Sequence, residues 1–262
     1  MHGATRAVRD VDARATSASE RGRRRRAEGR AWSRRAMLRG GGGALLTTPW
    51  TREGRASEVG ERYDGYARTY DDLDGGEAAR ALGLEAMRAE ALRAARGDVL
   101  ELAVGTGLNL PAYDLRGVKT FTAIDLSPGM LERARMRAKE LAFGDEARFI
   151  EADATALPFE DGSFDFVVDT FSLCVIEDPL AALKEVRRVL RKDGRAVLIE
   201  HSKSDVGALG WYQDVTSLPV KSMSKGCVWN QDVEGLIGQS GMRIVKSQRA
   251  LLGLLVVVEA KP

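Results

Sequence analysis

The sequence predicts an α/β fold in which a mostly parallel sheet is covered by helices on both faces. Three observations point there. Between residues 97 and 200, short apolar runs alternate with stretches of helical periodicity, as repeated strand–helix–strand units require. The first run, Val99–Val104, is nearly continuous in apolar content, the mark of a strand buried on both faces. It passes into the glycine-rich turn Gly105-Thr106-Gly107, and an acid, Asp125, closes the second run about 20 positions later.

The elements follow in order. Residues 59–94 read as helical, because Tyr63, Tyr66 and Tyr70 recur at helical spacing and the stretch from Ala78 to Ala94 is rich in strong helix formers. Gly97 is expected to end this region. After the strand Val99–Val104 comes Phe121–Asp125. Ser127 is a good N-cap and Pro128 suits a first helical turn. That helix is expected to reach about Leu141, with Leu131, Ala134, Ala138 and Leu141 on one face. Arg148–Ala152 and Phe164–Thr170 are the third and fourth strands. Leu180, Leu183, Val186 and Leu190 mark a helix that ends near Gly194, and Ala196–Glu200 is the fifth strand. Asn230 is expected to cap a helix running to about Gln239. Met242–Ser247 and Leu251–Glu259 are strand-like and close together. Right-handed crossovers then place helices on both faces of the sheet.

A glycine turn followed by a distant acid is how an open α/β sheet holds an adenosine. The glycines let the backbone approach the ligand, and the carboxylate takes the ribose hydroxyls. Dinucleotide binding needs a third glycine three positions after Gly107, and Leu110 stands there. A ligand with adenosine but no phosphate is therefore expected, and a nucleotide-dependent oxidoreductase is disfavoured.

Four blocks in this order resemble class I S-adenosylmethionine-dependent methyltransferases across roughly residues 97–200. Glu101-Leu102-Ala103-Val104-Gly105-Thr106-Gly107 resembles the glycine loop, with Ala103 in the place of the family's first glycine. Ala123-Ile124-Asp125-Leu126-Ser127-Pro128-Gly129-Met130-Leu131 is similar to the ribose block. Glu151-Ala152-Asp153-Ala154-Thr155-Ala156-Leu157-Pro158-Phe159 is similar to the adenine block. Phe164-Asp165-Phe166-Val167-Val168 and Leu190-Arg191-Lys192-Asp193-Gly194-Arg195 resemble the strand and turn that close the domain. Within the family the chain looks closest to the type 11 set, which includes ubiquinone/menaquinone C-methyltransferases and small organellar methyltransferases.

The resemblance implies a doubly wound, Rossmann-like sheet of seven strands with a C-terminal antiparallel hairpin, and S-adenosyl-L-methionine as cofactor. It also implies roles for particular residues. Gly105 and Gly107 bring main chain to the methionine part and the ribose, with Thr106 between them. Glu101 positions the loop by accepting backbone N–H bonds or is a strand-end charge facing solvent, and a methyl at Ala103 is tolerable if φ stays negative. Asp125 accepts both ribose hydroxyls. Leu126 and Met130 face the adenine or pack in the core. Asp153 accepts from the adenine amino group, with the Ala154 N–H at the ring, or caps its own loop. Thr170 and Phe171 border the sulfonium. Tyr63, Tyr66 and Tyr70 form either a lid or core. Residues 202–229 are expected to cap the acceptor, with Trp211, Tyr212, Leu218, Val220 and Met223 as lining, a mix that suits a small apolar or aromatic molecule and equally suits packing against the sheet. His201, after the fifth strand, is the candidate catalytic base for an acceptor that must lose a proton; its alternative is a structural role. Cys174 reads as core, and Cys227 either as structural or as a neighbour of the acceptor with Trp229. The two cysteines stand too far apart in sequence to suggest a metal-type pair, so no metal is expected. A non-catalytic cofactor-binding protein acting in assembly or interaction is the alternative function.

Composition bounds the remaining classes. The chain has 262 residues, 30% of them charged, and a net charge of +2. That suits one globular domain, residues 58–262, behind a tail, residues 1–57. The balance leaves no basic footprint for nucleic acid. No apolar run spans a membrane, and peripheral membrane contact stays open. The first 50 residues hold no lysine and many arginines, including Arg23-Arg24-Arg25-Arg26, among alanine, serine and glycine. Such a segment has too little apolar surface to order itself. It reads as a transit peptide for an organelle, a chloroplast before a mitochondrion. The alternatives are a Tat-type signal at Arg34-Arg35 and an unprocessed basic tail on a cytoplasmic protein.

Overall fold

The computed structural model describes residues 52–262 except Ala142, Asp145 and Glu146. The readings of a transit peptide and a Tat-type signal fall on residues outside these. Seven strands form one sheet: β1 (Gly97–Leu102), β2 (Val118–Asp125), β3 (Arg148–Glu151), β4 (Phe164–Thr170), β5 (Leu190–His201), β6 (Arg243–Ala250) and β7 (Leu255–Lys261). Their order is β3-β2-β1-β4-β5-β7-β6. The first five are parallel to one another, and β7 runs antiparallel between β5 and β6.

Helices cover both faces, as the period of two along each strand demands. Leu100, Leu102, Val167 and Leu198 enter one core, where α6 (Pro179–Val189) and α8 (Val233–Gln239) bring Leu183, Val186 and Ile237. Their chain neighbours Val99, Phe166, Val168 and Val197 enter a second core against α5 (Pro128–Glu140), which brings Leu131 and Ala134. Both faces of β1 and β4 are thus dry, which explains their unbroken apolar sequence.

Two N-caps do local work at the crevice side. Ser127 Oγ accepts from Met130 N at 3.1 Å, with Pro128 in the first turn of α5. Asp178 Oδ1 accepts from Ala181 N at 2.9 Å, with Pro179 in the first turn of α6. Side-chain caps of this kind contribute about 1 kcal/mol.

Several expectations need correction. The region 59–94 is four helices, α1 (Arg52–Tyr66), α2 (Tyr70–Asp74), α3 (Glu77–Ala81) and α4 (Leu84–Leu92), broken at the Ala67–Thr69 turn, at Gly75-Gly76 and at Gly83 with φ 75°. Leu141 lies on the surface at 39% exposure, because α5 ends one residue before it. Helix α6 stops at Val189, not near Gly194: Leu190 already pairs with Phe164, and residues 191–194 bulge before pairing resumes at Arg195. Asp232, not Asn230, caps α8, its carboxylate accepting from Gly235 N at 2.9 Å; Asn230 donates to Asp214 instead.

Helix α7 (Gly207–Met223) is the least legible element. Its inward anchor is polar. Gln213 is fully buried and bonds three backbone groups: it accepts from Ser204 N and donates to the carbonyls of Ser202 and Trp229. Trp211, Leu218 and Met223 face outward at 66%, 79% and 79% exposure. A rule that apolar means inside inverts this helix.

Candidate active site

The chain order reverses on either side of β1, which pairs with β2 on one edge and β4 on the other. A crevice must open there, beyond the carboxyl ends of the strands. A cavity of about 540 Å³ occupies it.

The loop after β1 is held in a demanding shape. Val104 N donates to Ile124 O at 2.9 Å, and Gly105 N to Asp125 Oδ2 at 2.8 Å. To reach both, the chain turns sharply at Ala103, which takes φ 43°, not the negative value at which its methyl would be tolerated without strain. A left-handed conformation costs a residue with a Cβ about 1–2 kcal/mol. Phe171, at the end of β4, does the same with φ 57°. Both strained residues line the cavity, and backbone strain of this kind concentrates at functional sites.

Asp125 is held on both oxygens. Oδ2 accepts from Gly105 N, and Oδ1 from Ser127 N at 2.9 Å. Burial pushes its pKa up to about 6, against the opposing pull of these bonds. Each oxygen keeps a second lone pair, so the carboxylate still has acceptor capacity. Leu126, Met130, Ala154 and Thr170 share the cavity wall with Ala103 and Gly105. Asp153 also lines it, while its Oδ1 accepts from Thr155 N at 2.8 Å. It caps its own loop and faces the cavity as well.

The structure sets four of the expected residues outside that wall. Glu101 is buried below the loop and accepts from side chains, not backbone: Asn109 Nδ2 at 2.9 Å and Tyr113 Oη at 2.8 Å. Burial raises its pKa to about 7. Asn109 also donates to Thr170 Oγ1 at 3.0 Å, which ties the glycine loop to the end of β4. Thr106 turns toward Asp71 on α2, and its carbonyl accepts from Arg137 of α5 at 3.1 Å. Gly107, at φ 82°, packs so tightly that a Cβ there would come within 2.7 Å of Leu110 Cδ1. Leu110 therefore occupies the space that a third glycine would leave open. His201 lies against Phe171, with ring centroids 5.2 Å apart.

Other groups complete the site. Tyr63 and Tyr70 line the cavity, and Tyr66 is exposed. Lys225 sits over the rings of Tyr66 and Tyr70 at 5.2 and 4.5 Å, so the segment after α7 meets the tyrosine helices. Asp64 of α1 accepts from Ser127 Oγ and from Gly129 N, adding a carboxylate at the N-terminus of α5. Glu177 and Asp178 line the cavity; their position just after β4 was a readable signal, since ligands bind where parallel strands end. Arg88, buried on α4, sits 5.5 Å from the Phe171 ring centre, and nothing in its helical sequence context marked it. None of Trp211, Tyr212, Leu218, Val220 and Met223 lines this cavity; α7 contributes Lys221.

The charged residues around the cavity are Asp125, Asp153, Glu177, Asp178 and Lys221. Four carboxylates to one ammonium fit a cationic ligand and oppose a pyrophosphate. S-Adenosylmethionine, with a sulfonium, an ammonium and one carboxylate, fits that balance, and Asp125 stands where the end of β2 meets the glycine loop.

Comparison with known proteins agrees. A methyltransferase-domain family profile matches residues 100–198. The chain is 36% identical over 124 residues to a phosphatidylethanolamine N-methyltransferase of Cereibacter sphaeroides, covering 42% of this chain and 60% of the relative. It is 44% identical over 102 residues to a demethylmenaquinone methyltransferase of Clavibacter sepedonicus, covering 39% and 40%. It thus spans 60% or less of the curated relatives' lengths. A solved structure of the [4+2]-cyclase SpnF matches in fold with a TM-score of 0.60 at 18% identity, over 79% of this chain and 95% of that one. Residues 100–198 of the chain are thus similar to a methyltransferase domain.

Proposed function

We propose that this protein transfers the methyl group of S-adenosylmethionine to a small apolar or aromatic molecule. The acid-rich cavity at the ends of β1, β2 and β4, with Asp125 bonded to Gly105, carries the reading. Both curated relatives are named for methylation of a lipid headgroup or a quinone-type molecule, which supports a small acceptor. No helix among the described residues is long and apolar enough to cross a membrane.

When bound, the cofactor supplies an electrophilic methyl group for in-line displacement. The chain supplies placement. Asp125 takes the ribose hydroxyls, Asp153 and Ala154 hold the adenine side, and Gly105 offers main chain beside the strained Ala103. Thr170 and Phe171 close the reacting end. Tyr63 and Tyr70 cover the cavity from α1 and α2 and limit water entry. Fixed alignment alone is worth about 7–11 kcal/mol of barrier.

The cofactor reading is tested by thermal unfolding with S-adenosylhomocysteine and with NAD as control. At about 100 times its dissociation constant a ligand adds about 2.7 kcal/mol, a rise of roughly 5–10 °C in a domain of this size. A rise with S-adenosylhomocysteine alone is expected; equal behaviour with both nucleotides would count against the reading. Binding without turnover on any quinol, phenol or lipid amine would favour the non-catalytic alternative.

For a hydroxyl or thiol acceptor His201 is the candidate base, and it would have to reach the acceptor past Phe171, on which it packs. His201→Ala is then expected to lower the methyl-transfer rate about 10²–10⁴-fold and leave cofactor affinity intact. An unaltered rate makes the residue structural.

A further inference from the structure

Cys174 and Cys227 are separated by more than fifty positions, and the fold brings them together. Cys174 follows β4, His201 ends β5, and Cys227 lies in the loop after α7. The two Sγ atoms and a ring nitrogen of His201 all lie within 4.8 Å of one another. Cys227 Sγ is 3.5 Å from His201 Nδ1. The backbone latches the arrangement, since Val228 N donates to Cys174 O at 2.7 Å.

We infer that Cys174, Cys227 and His201 form a binding site for a thiophilic divalent cation, zinc foremost, set behind the wall of the cavity. Two soft sulfurs and an imidazole are the donor set of zinc, not of magnesium or calcium. Zinc lies about 2.3 Å from sulfur and about 2.0–2.1 Å from nitrogen, so tetrahedral geometry puts a sulfur and a nitrogen ligand about 3.5–3.6 Å apart. The sulfur–nitrogen separation in the protein already has that value. Three ligands leave a fourth position, as in zinc sites that take a water or a substrate atom.

Two buried acids flank the cluster. Asp169 and Glu200 are buried beside the cluster, at 2% and 0% exposure. Glu200 Oε1 accepts from Ser172 N at 2.9 Å, and Asp169 Oδ1 accepts from Ser172 Oγ. The other oxygen of each carboxyl meets no donor from a third described residue, and the two carboxyls hydrogen-bond to each other. Two buried carboxyls beside two thiols make a pocket that a divalent cation relieves. The site adjoins the acceptor side: Ser172 and Val175, on either side of Cys174 in sequence, line the cavity, as does Phe171, which packs on His201. The inference rests on these side chains and stands whether or not the chain turns over a methyl acceptor.

The test uses the full chain, reduced, stripped with a chelator and titrated with Co²⁺. The sequence contains two cysteines in all, so a thiolate-to-cobalt charge-transfer band can come only from Cys174 and Cys227. The expected result is that band saturating at one equivalent, displaced by Zn²⁺, and lost in Cys227→Ser. Elemental analysis should find about one zinc per chain in the wild type and less than a tenth of that in the Cys174→Ser/Cys227→Ser double variant. No charge-transfer band in the wild-type protein would overturn the site, a result that needs no variant to fold. Equal zinc content in the wild type and in a folded Cys227→Ser variant would do so too.

Discussion

Asp125→Ala is expected to weaken S-adenosylhomocysteine binding by about 1.5–3 kcal/mol, roughly 10- to 150-fold, the worth of hydrogen bonds to a charged group. The structure enlarges the reason. The carboxylate does two jobs, accepting from Gly105 N and Ser127 N while keeping lone pairs toward the cavity. Removing it takes away the acceptor for the ribose and also frees the loop that Ala103 holds under strain. Asp125→Asn separates the two jobs, because an amide oxygen still accepts one backbone N–H while the charge and the second acceptor are gone. Calorimetric titration of both variants decides the matter: affinity lost in Ala and partly kept in Asn is expected. Unchanged affinity in both would remove Asp125 from the site. The native protein should show the same dependence on pH. With the free carboxyl at about 6, affinity is expected to hold steady above pH 7 and to fall about tenfold per pH unit well below 6.

The second large effect concerns stability. Without ligand, the protein is expected to be more stable at pH 6 than at pH 8, by about 1–4 kcal/mol. Burial raises Glu101 to about 7, Asp125 to about 6 and Asp169 to about 7, and lifts Glu200 well above the usual carboxyl range. In the unfolded chain the same groups titrate near 3.8 and 4.5. Between about pH 4 and 7 the folded state therefore binds more protons than the unfolded state. The stability these groups contribute is complete below their unfolded values and is lost as pH rises through the folded ones. Asp98, Glu185 and Glu234 are held low by hydrogen bonds to Thr120, Arg188 and Ser247 and by nearby cations, and they act with the opposite sign. Their window lies below the ordinary carboxyl range, so it does not overlap. Urea unfolding at pH 6 and pH 8 reads the difference directly. A flat profile would show that a bound cation or a rearrangement keeps the four carboxyls ionised.

How much was legible depends on whether a signal is local. The N-cap at Ser127 and the strand Phe164–Thr170 were readable because a helix start and a strand buried on both faces are written in adjacent residues. The joint between α6 and β5 was not. Its end depends on which residue of β4 the next strand pairs with, and Leu190 found Phe164 before the helix could continue. The positive φ of Ala103 was not legible for a similar reason: hydrogen bonds reaching Ile124 and Asp125 set that angle, not the preference of alanine.

The sequence alone determined the architecture, the glycine loop and the acid that closes β2, because each is encoded by periodicity or by spacing along one strand–turn–helix unit. Tertiary structure alone decided what gathers around that unit. It turned Glu101 away from the backbone and onto Asn109 and Tyr113, and sent Thr106 to Asp71. It turned the apolar residues of α7 outward around a buried Gln213. It also joined Cys174, His201 and Cys227 into one cluster. Those outcomes depend on contacts between different elements of the fold, and chain packing, not local preference, selects among them.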